Sequence, residues 1–287
     1  MDYNRWYSYD YRLLNGLKLT LSHPHMNNKE YHASPAVSNS KLSRFIESPR
    51  LMNTPRKKTP SLRWGSLVHT IILEPQLVDG EWAVMPEGLD KGKGAKAREE
   101  EFLLANEGKE IVSHDEYLQL TAIRSAVQED DEASALLFGE GVNESSYFWT
   151  DAITGIDMRC RADRYRDDGL LVDVKTTASI EHYAFRRSVW DYGYDRQSAI
   201  YIDGIEAMTG RRPRGFAFIA IEGKDAPEVF VQVFVMTDAD IELGRRRYRK
   251  ALDLMKSYRD QFGNDPAAWP KKTGPGVIEV DLSKFNS

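Results

Sequence analysis

Hydrophobic positions along the chain follow two regimes. In the first half they recur at helical spacing, in short runs broken by proline and glycine. Leu42 and Phe45 share one face of a short helix over 40–48, with Ser38 or Ser40 placed to cap it and Pro49 beyond its end. Residues 61–74 predict an apolar helix that stops before Pro75, and 80–86 a short strand. The glycine-rich stretch 90–96 reads as a flexible basic loop, followed by a helix over 97–108. Ser113 and Glu116 have the spacing of a capping box, which opens a helix running to about Glu129. Residues 1–34, rich in Tyr, Asn and His, predict loop or a short hairpin.

The middle of the chain changes to strand-like runs with period-two character. Residues 144–150, 155–165 and 170–176 predict three strands, joined by turns at 151–154 and 167–169, and so an antiparallel meander. Helices over 180–191 and 194–209 follow, then strands over 215–222 and 228–236. A long charged helix starts near Asp238, and a tail with Pro and Gly ends the chain. Helices flanking a mixed central sheet make this an α/β (α+β) fold. The expected organisation is a single domain over 1–287: an N-terminal arm and short helix over 1–60, a core over 61–236, and a C-terminal helix and tail over 237–287.

Composition narrows the class. The 287 residues are 41% hydrophobic and 29% charged, as in a globular protein. The most apolar stretch, Gly215–Ile221, is too short to span a bilayer, and the first residues carry no apolar signal core. The single cysteine, Cys160, excludes an intramolecular disulfide and points to the cytoplasm. Lys and Arg number 39 against 44 Asp and Glu, a net charge of -5. Bulk charge therefore does not recruit nucleic acid; any such contact must be local. Lys91, Lys93 and Lys96, and the run Arg245–Lys250, are the local basic surfaces.

Candidate chemistry centres on the second hairpin. Its turn, Asp167-Asp168-Gly169, predicts a three-residue loop with Gly169 left-handed, a register that sets Asp163 directly opposite Asp173. Residues so paired share a sheet face with Cβ atoms about 4.5–5.5 Å apart, and Lys175 lies on the same face. Facing carboxylates repel, and a divalent cation removes that cost; Mg²⁺ favours such oxygen ligands. Asp163, Asp173 and Lys175 thus suit metal-assisted phosphodiester hydrolysis. A solvated hairpin face with an Asp–Lys ion pair fits the same residues taken alone.

Three features bear on that choice. His69 follows Gly65 by one turn on the apolar helix; it can ligate metal or be a core histidine satisfied by a carbonyl. Gln197 and Tyr201 share a helix face, where they can orient the lysine, bind phosphate, or form ordinary amphipathic surface. Glu144 opens the meander as a further acid or a solvated glutamate.

The ordered set Gly65…His69, Glu144, Asp163, Asp173-x-Lys175, Gln197…Tyr201 resembles the PD-(D/E)xK nuclease superfamily, in its RecB-like branch with GxxxH and QxxxY motifs. Over roughly 30–210 it is most similar to the nuclease domain of exonuclease VIII, the RecE type of phages and prophages. The resemblance implies metal ligation by His69, Asp163, Asp173 and the carbonyl of Val174, with Lys175 serving the nucleophilic water and Gln197 and Tyr201 matching QxxxY. It implies Mg²⁺, with Mn²⁺ as alternative, and ATP-independent 5′-to-3′ digestion of linear double-stranded DNA ends that leaves 3′ single strands. A ring-shaped homo-oligomer, a single-strand annealing partner and a bacterial host cell follow on the same basis. Ala162 stands where the superfamily name has proline. Ser38 and Ser40 lie where lambda-type exonucleases place a phosphate-contacting serine, so Ser40 joins Lys91, Lys93, Lys96 and Gln197 as expected DNA contacts.

Other patterns are weak. Gly92 to Lys96 lacks the Ser or Thr of a nucleotide-binding loop. His23, His25 and His32 lack the cysteines that often accompany zinc. Two further readings share the same core: a catalytically silent DNA-binding scaffold, and a structure-specific endonuclease.

Overall fold

The structure of the protein is a computed structural model. It describes residues 26–55, 57, 59–89, 91–223 and 228–273, with the backbone of two short strands, β1 (Arg12–Leu14) and β2 (Leu17–Leu19). These two pair antiparallel, the hairpin anticipated within 1–34. His23 and His25 lie outside the described residues, as does the tail beyond 273.

The helical first half comprises α1 (Asn28–Ala33), α2 (Asn39–Glu47), α3 (Pro60–Leu73), α4 (Val78–Glu81), α5 (Ala95–Ala105), α6 (His114–Glu129) and α7 (Asp131–Leu137). Ser38 caps α2 by accepting the Lys41 N–H, and Thr59 caps α3 through the Leu62 N–H. The capping box of α6 forms in both directions, Ser113 to Glu116 and back. Helix α1 forms within 1–34 in place of loop or hairpin, α4 leads into the short strand, and two further elements exceed the sequence expectation. A three-residue strand β4 (Glu110–Val112) pairs in parallel with β3 (Trp82–Val84), and α7 follows α6 after a single residue, Asp130, whose side chain caps it.

The sheet has five strands: β5 (Gly141–Thr150), β6 (Asp157–Arg166), β7 (Leu170–Thr176), β8 (Gly215–Glu222) and β9 (Phe230–Val235), in that spatial order. All neighbours are antiparallel except β7 and β8. The parallel step is crossed by α8 (His182–Tyr192) and α9 (Tyr194–Thr209), and α10 (Asp238–Phe262) closes the fold. The mixed sheet, the antiparallel meander and the flanking helices are as the sequence predicts.

The sheet is covered on both sides, which is why β7 and β8 read as near-continuous apolar runs. On one side α3 and α6 contribute Val68, Ile72, Ile123 and Val127 against Val172, Val174 and Ile219. On the other, α2, α8, α9 and α10 bring Phe45, Phe185, Ile200 and Leu252 against Leu171, Phe216 and Phe218. Helices α9 and α10 approach so closely that a Cβ at Gly244 would lie 2.0 Å from the Asp195 carbonyl oxygen. Only glycine fits that crossing.

Candidate metal centre at the fork of the sheet

Gly169 takes φ +86° and its N–H donates to the Arg166 carbonyl at 2.9 Å. That turn gives the register deduced from the sequence: Arg164 pairs with Val172 and Tyr165 with Leu171. Beyond those two pairs, β6 stays with β5 and β7 stays with β8, so the strands part. Into the fork goes the Asp163 carboxylate, whose Oδ2 accepts the Val174 N–H at 2.8 Å. A side chain replaces a ladder bond, which satisfies a backbone donor that would otherwise be stranded.

His69 on α3 enters the fork from the side of the first core. Its Nε2 lies 2.9 Å from the Val174 carbonyl oxygen and its Nδ1 3.4 Å from Asp163 Oδ2. A carbonyl only accepts, so Nε2 carries a proton and donates it to Val174. The carbonyl bond of a core histidine is thus present, together with an imidazole nitrogen facing an acid. The neighbouring glycine is not demanded by space: a Cβ at Gly65 would meet Thr176 Oγ1 at 3.7 Å, an ordinary contact.

Glu144 completes a cluster. Its flanking pairs, Asn143 with Arg164 and Ser145 with Ala162, place it opposite Asp163. It has φ 50°, the one positive φ outside glycine among the described residues. Such backbone costs about 1–3 kcal/mol and persists where the surroundings over-determine it. Ligand atoms of His69, Glu144 and Asp163 all lie within 4.8 Å of one another. Burial, then the charge of Asp163, pushes the Glu144 carboxyl up to about 9, although Arg161 stands 3.9 Å from its Oε2. The donor set fits a divalent cation: two carboxylates, an imidazole and a nearby carbonyl, with like charges that a cation would relieve.

Asp173 is 1% exposed and turns to other partners. The Gln197 amide of α9 donates to its Oδ1, and the Lys175 ammonium sits against its Oδ2. Burial, then Asp163, pushes the Asp173 carboxyl up to about 6, against the pull of Lys175. Burial works against the Lys175 charge too, but Asp173 and Asp163 outweigh it and hold the ammonium's pKa above the ordinary lysine value. The ammonium also lies 4.8 Å from the centre of the Tyr194 ring.

Tyr201, one turn beyond Gln197, packs edge-on to Phe216 with ring centres 5.9 Å apart. Burial raises its phenol well above the ordinary value, so it serves as a neutral wall. Ser40 is exposed in the first turn of α2. Lys91, Lys93 and Lys96 are exposed on the loop before α5 and at its start. Arg98 holds that loop by donating to the carbonyls of Lys91 and Lys93 at 2.7 and 2.9 Å. No described contact joins Ser40 or these lysines to the cluster.

Sequence reasoning passes over Arg161 and Tyr194. Arg159, Arg161 and Asp163 alternate along an otherwise buried strand, a polar file that signals one functional face. Tyr194 sits three residues before Gln197, on the same helical face.

Solved structures extend the comparison. A protein from Eubacterium rectale provisionally named as an exonuclease superimposes with a TM-score of 0.58 at 15% identity, covering 91% of this chain and 97% of its own. An alkaline exonuclease from Laribacter hongkongensis gives a TM-score of 0.26 at 13% identity, covering 79% of this chain and 92% of its own. No curated protein matches. No helix among the described residues is long and apolar enough to cross a membrane. Residues 37–268, which hold the fork and all its acids, match the model of a PDDEXK-like domain of unknown function, DUF3799, and the chain belongs to that family.

Proposed function

We propose that the protein is a divalent-metal-dependent deoxyribonuclease that digests linear double-stranded DNA from its ends. The observation that carries this reading is the convergence of His69, Glu144 and Asp163 within 4.8 Å, beside the buried Asp173–Lys175 pair. His69, Glu144 and Asp163 would hold the ion, with the Val174 carbonyl and the Asp173 carboxylate adjoining. When bound, Mg²⁺ or Mn²⁺ supplies charge neutralisation at the phosphodiester and acidifies water.

The chain's own groups divide the remaining work. The Val174 carbonyl fixes the His69 ring, and the Val174 N–H fixes the Asp163 carboxylate. Gln197 holds Asp173, and Asp173 in turn holds the Lys175 ammonium at the mouth of the fork. From there Lys175 positions the attacking water and offsets charge growing on the phosphate. Tyr201 and Phe216 exclude solvent behind Gln197.

The resemblance to the exonuclease VIII type implies 5′-to-3′ polarity without ATP, 3′ single-stranded product, a ring-shaped homo-oligomer and a single-strand annealing partner in a phage-type recombination role. The test is Mg²⁺ with end-labelled linear duplex beside covalently closed circular DNA. Loss of the linear form alone is expected. Opening of the circle means an endonuclease, and binding without cutting means a silent scaffold; either result overturns the proposal.

A further inference from the structure

Among the described residues, nothing covers a stripe of side chains on helix α8. Tyr183, Arg186, Arg187 and Trp190 recur at helical spacing on one face, while Phe185 is buried and Val189 packs on the core behind them. Tyr183 is 72% exposed, Trp190 51%, and Tyr192 at the helix end 64%. Large aromatic surface left in water is costly, and a solvated helix face does not require it.

Two of these aromatics come with a cation. The Arg186 guanidinium lies 6.0 Å from the Tyr183 ring centre, and the Arg247 guanidinium 3.8 Å from that of Trp190. Arg247 is held there by Asp195 at 2.6 Å, and Arg187 pairs with Asp191 at 3.3 Å. From the end of the helix, aromatic contacts lead on toward the candidate site. Tyr192 contacts Tyr194 with ring centres 5.7 Å apart, and Tyr194 lies under the Lys175 ammonium.

We infer that this face of α8 is a stacking platform for single-stranded DNA: the unpaired strand that leads into the fork. The inference rests on the deoxyribonuclease reading and deepens it. Aromatic rings interleaved with arginines suit bases whose faces are open, and a duplex hides those faces. Tyr192 and Tyr194 carry aromatic surface from the end of α8 to Lys175. Arg186 supplies a phosphate contact, and the rings supply a grip that tolerates any sequence.

The test is fluorescence anisotropy of a labelled dT 20-mer with the full chain in EDTA, so that nothing is cut. Trp190→Ala should weaken binding about tenfold, the usual order for one stacked base, and Trp190→Phe should restore most of it. A 20-mer of abasic sites has the phosphates but no bases; it should bind more weakly and ignore Trp190→Ala. Arg186→Gln should instead flatten the salt dependence of both ligands. Circular dichroism checks that the exposed substitutions leave the fold intact.

Equal affinity of Trp190→Ala and the unaltered protein for dT would overturn the inference, as would equal losses on dT and abasic strands or no dT binding at all. Sedimentation showing that Trp190→Ala breaks a dimer would assign the face to a second copy and also overturn it. Failure of the deoxyribonuclease reading is seen separately, as no cutting of any DNA by the unaltered protein with Mg²⁺ or Mn²⁺.

Discussion

Two regions of this molecule are dense in charge, and they are opposites. Along α10 the run Arg245–Lys250 looks in the sequence like a nucleic-acid surface. In the structure Arg245 pairs with Asp203, Arg247 with Asp195 and Arg249 with Asp151. Arg246 and Lys250 remain exposed. The three arginines bind α10 to the rest of the fold, so most of that charge is spent on structure. At the fork, three acids outnumber two cations: Asp163 and Asp173 act on Lys175, and Glu144 has Arg161 at 3.9 Å. The Glu144 and Asp173 carboxyls resist ionisation, whereas Arg249 holds Asp151 below the usual carboxylate range despite burial. Balanced charge marks a scaffold; unbalanced like charge, held together at a cost, marks the candidate site.

Substitutions should separate the two regions by the kind of loss. Asp163→Asn should have the largest effect, because Asp163 is a proposed ligand and also accepts the Val174 N–H. Cleavage of linear duplex should fall on the order of 10³ or more, as losing a Lewis acid worth several kcal/mol implies. Activity within tenfold of normal would remove the fork from consideration. Lys175→Ala should come next, at about 10²–10³ in rate, with duplex affinity nearly unchanged. A group felt mainly in the transition state appears in rate and not in binding. Equal losses of rate and affinity would make Lys175 an ion-pair partner only.

The regions should also answer pH with opposite sign. In the metal-free protein Glu144 keeps its proton up to about 9, while the unfolded chain loses it near the ordinary value of 4.5. The folded state then binds the extra proton, so stability falls as pH rises through that window. Glu144→Gln should therefore gain on the parent protein in melting temperature as pH rises from about 4.5 to about 9 in chelator. Mg²⁺ should close the gap by stabilising the parent alone. Asp151 behaves conversely: its lowered pKa gives stability above its ordinary value of 3.8, lost as pH falls below it. Arg249→Ala should cost about 1–3 kcal/mol near neutrality, roughly 2–4 °C per kcal/mol at this chain size, and should flatten that acid limb. Parallel melting curves for Glu144→Gln and the parent across the window would show that the fork carries no like-charge cost.

What the sequence reveals differs between the regions for a physical reason. The Asp-Asp-Gly turn is local, so the hairpin register is legible from the residues alone. His69 is legible too, as the ligand-capable side chain on an apolar helix. The fork itself is not, because β6 and β7 part where Asp163 captures the Val174 N–H, a contact between residues on different strands. Nothing in the residue type of Glu144 announces a φ of 50°. The pairing of Arg247 and Arg249 with acids from α9 and the β5–β6 turn is equally hidden, since only packing brings those elements together. Strand β4 escapes notice because it exists only through its parallel pairing with β3, a distant contact that its three residues do not announce.

The smallest effect is expected on the lysine loop, where the two kinds of charge can be compared most directly. Lys91, Lys93 and Lys96 are exposed, and Arg98 fixes the loop by main-chain bonds that do not use their ammonium groups. Replacing all three with Gln should therefore leave the melting temperature unchanged, unlike Arg249→Ala. If the lysines meet DNA, duplex affinity at low salt should fall by a few-fold. The slope of log affinity against log salt should become shallower by about 0.9 for each lysine that touches a phosphate. The cleavage rate at saturating DNA should not change, because counterion release acts on association and not on the reacting atoms. An unchanged slope would place these three lysines with Arg246 and Lys250, as solvated charge that neither builds the fold nor reads the substrate.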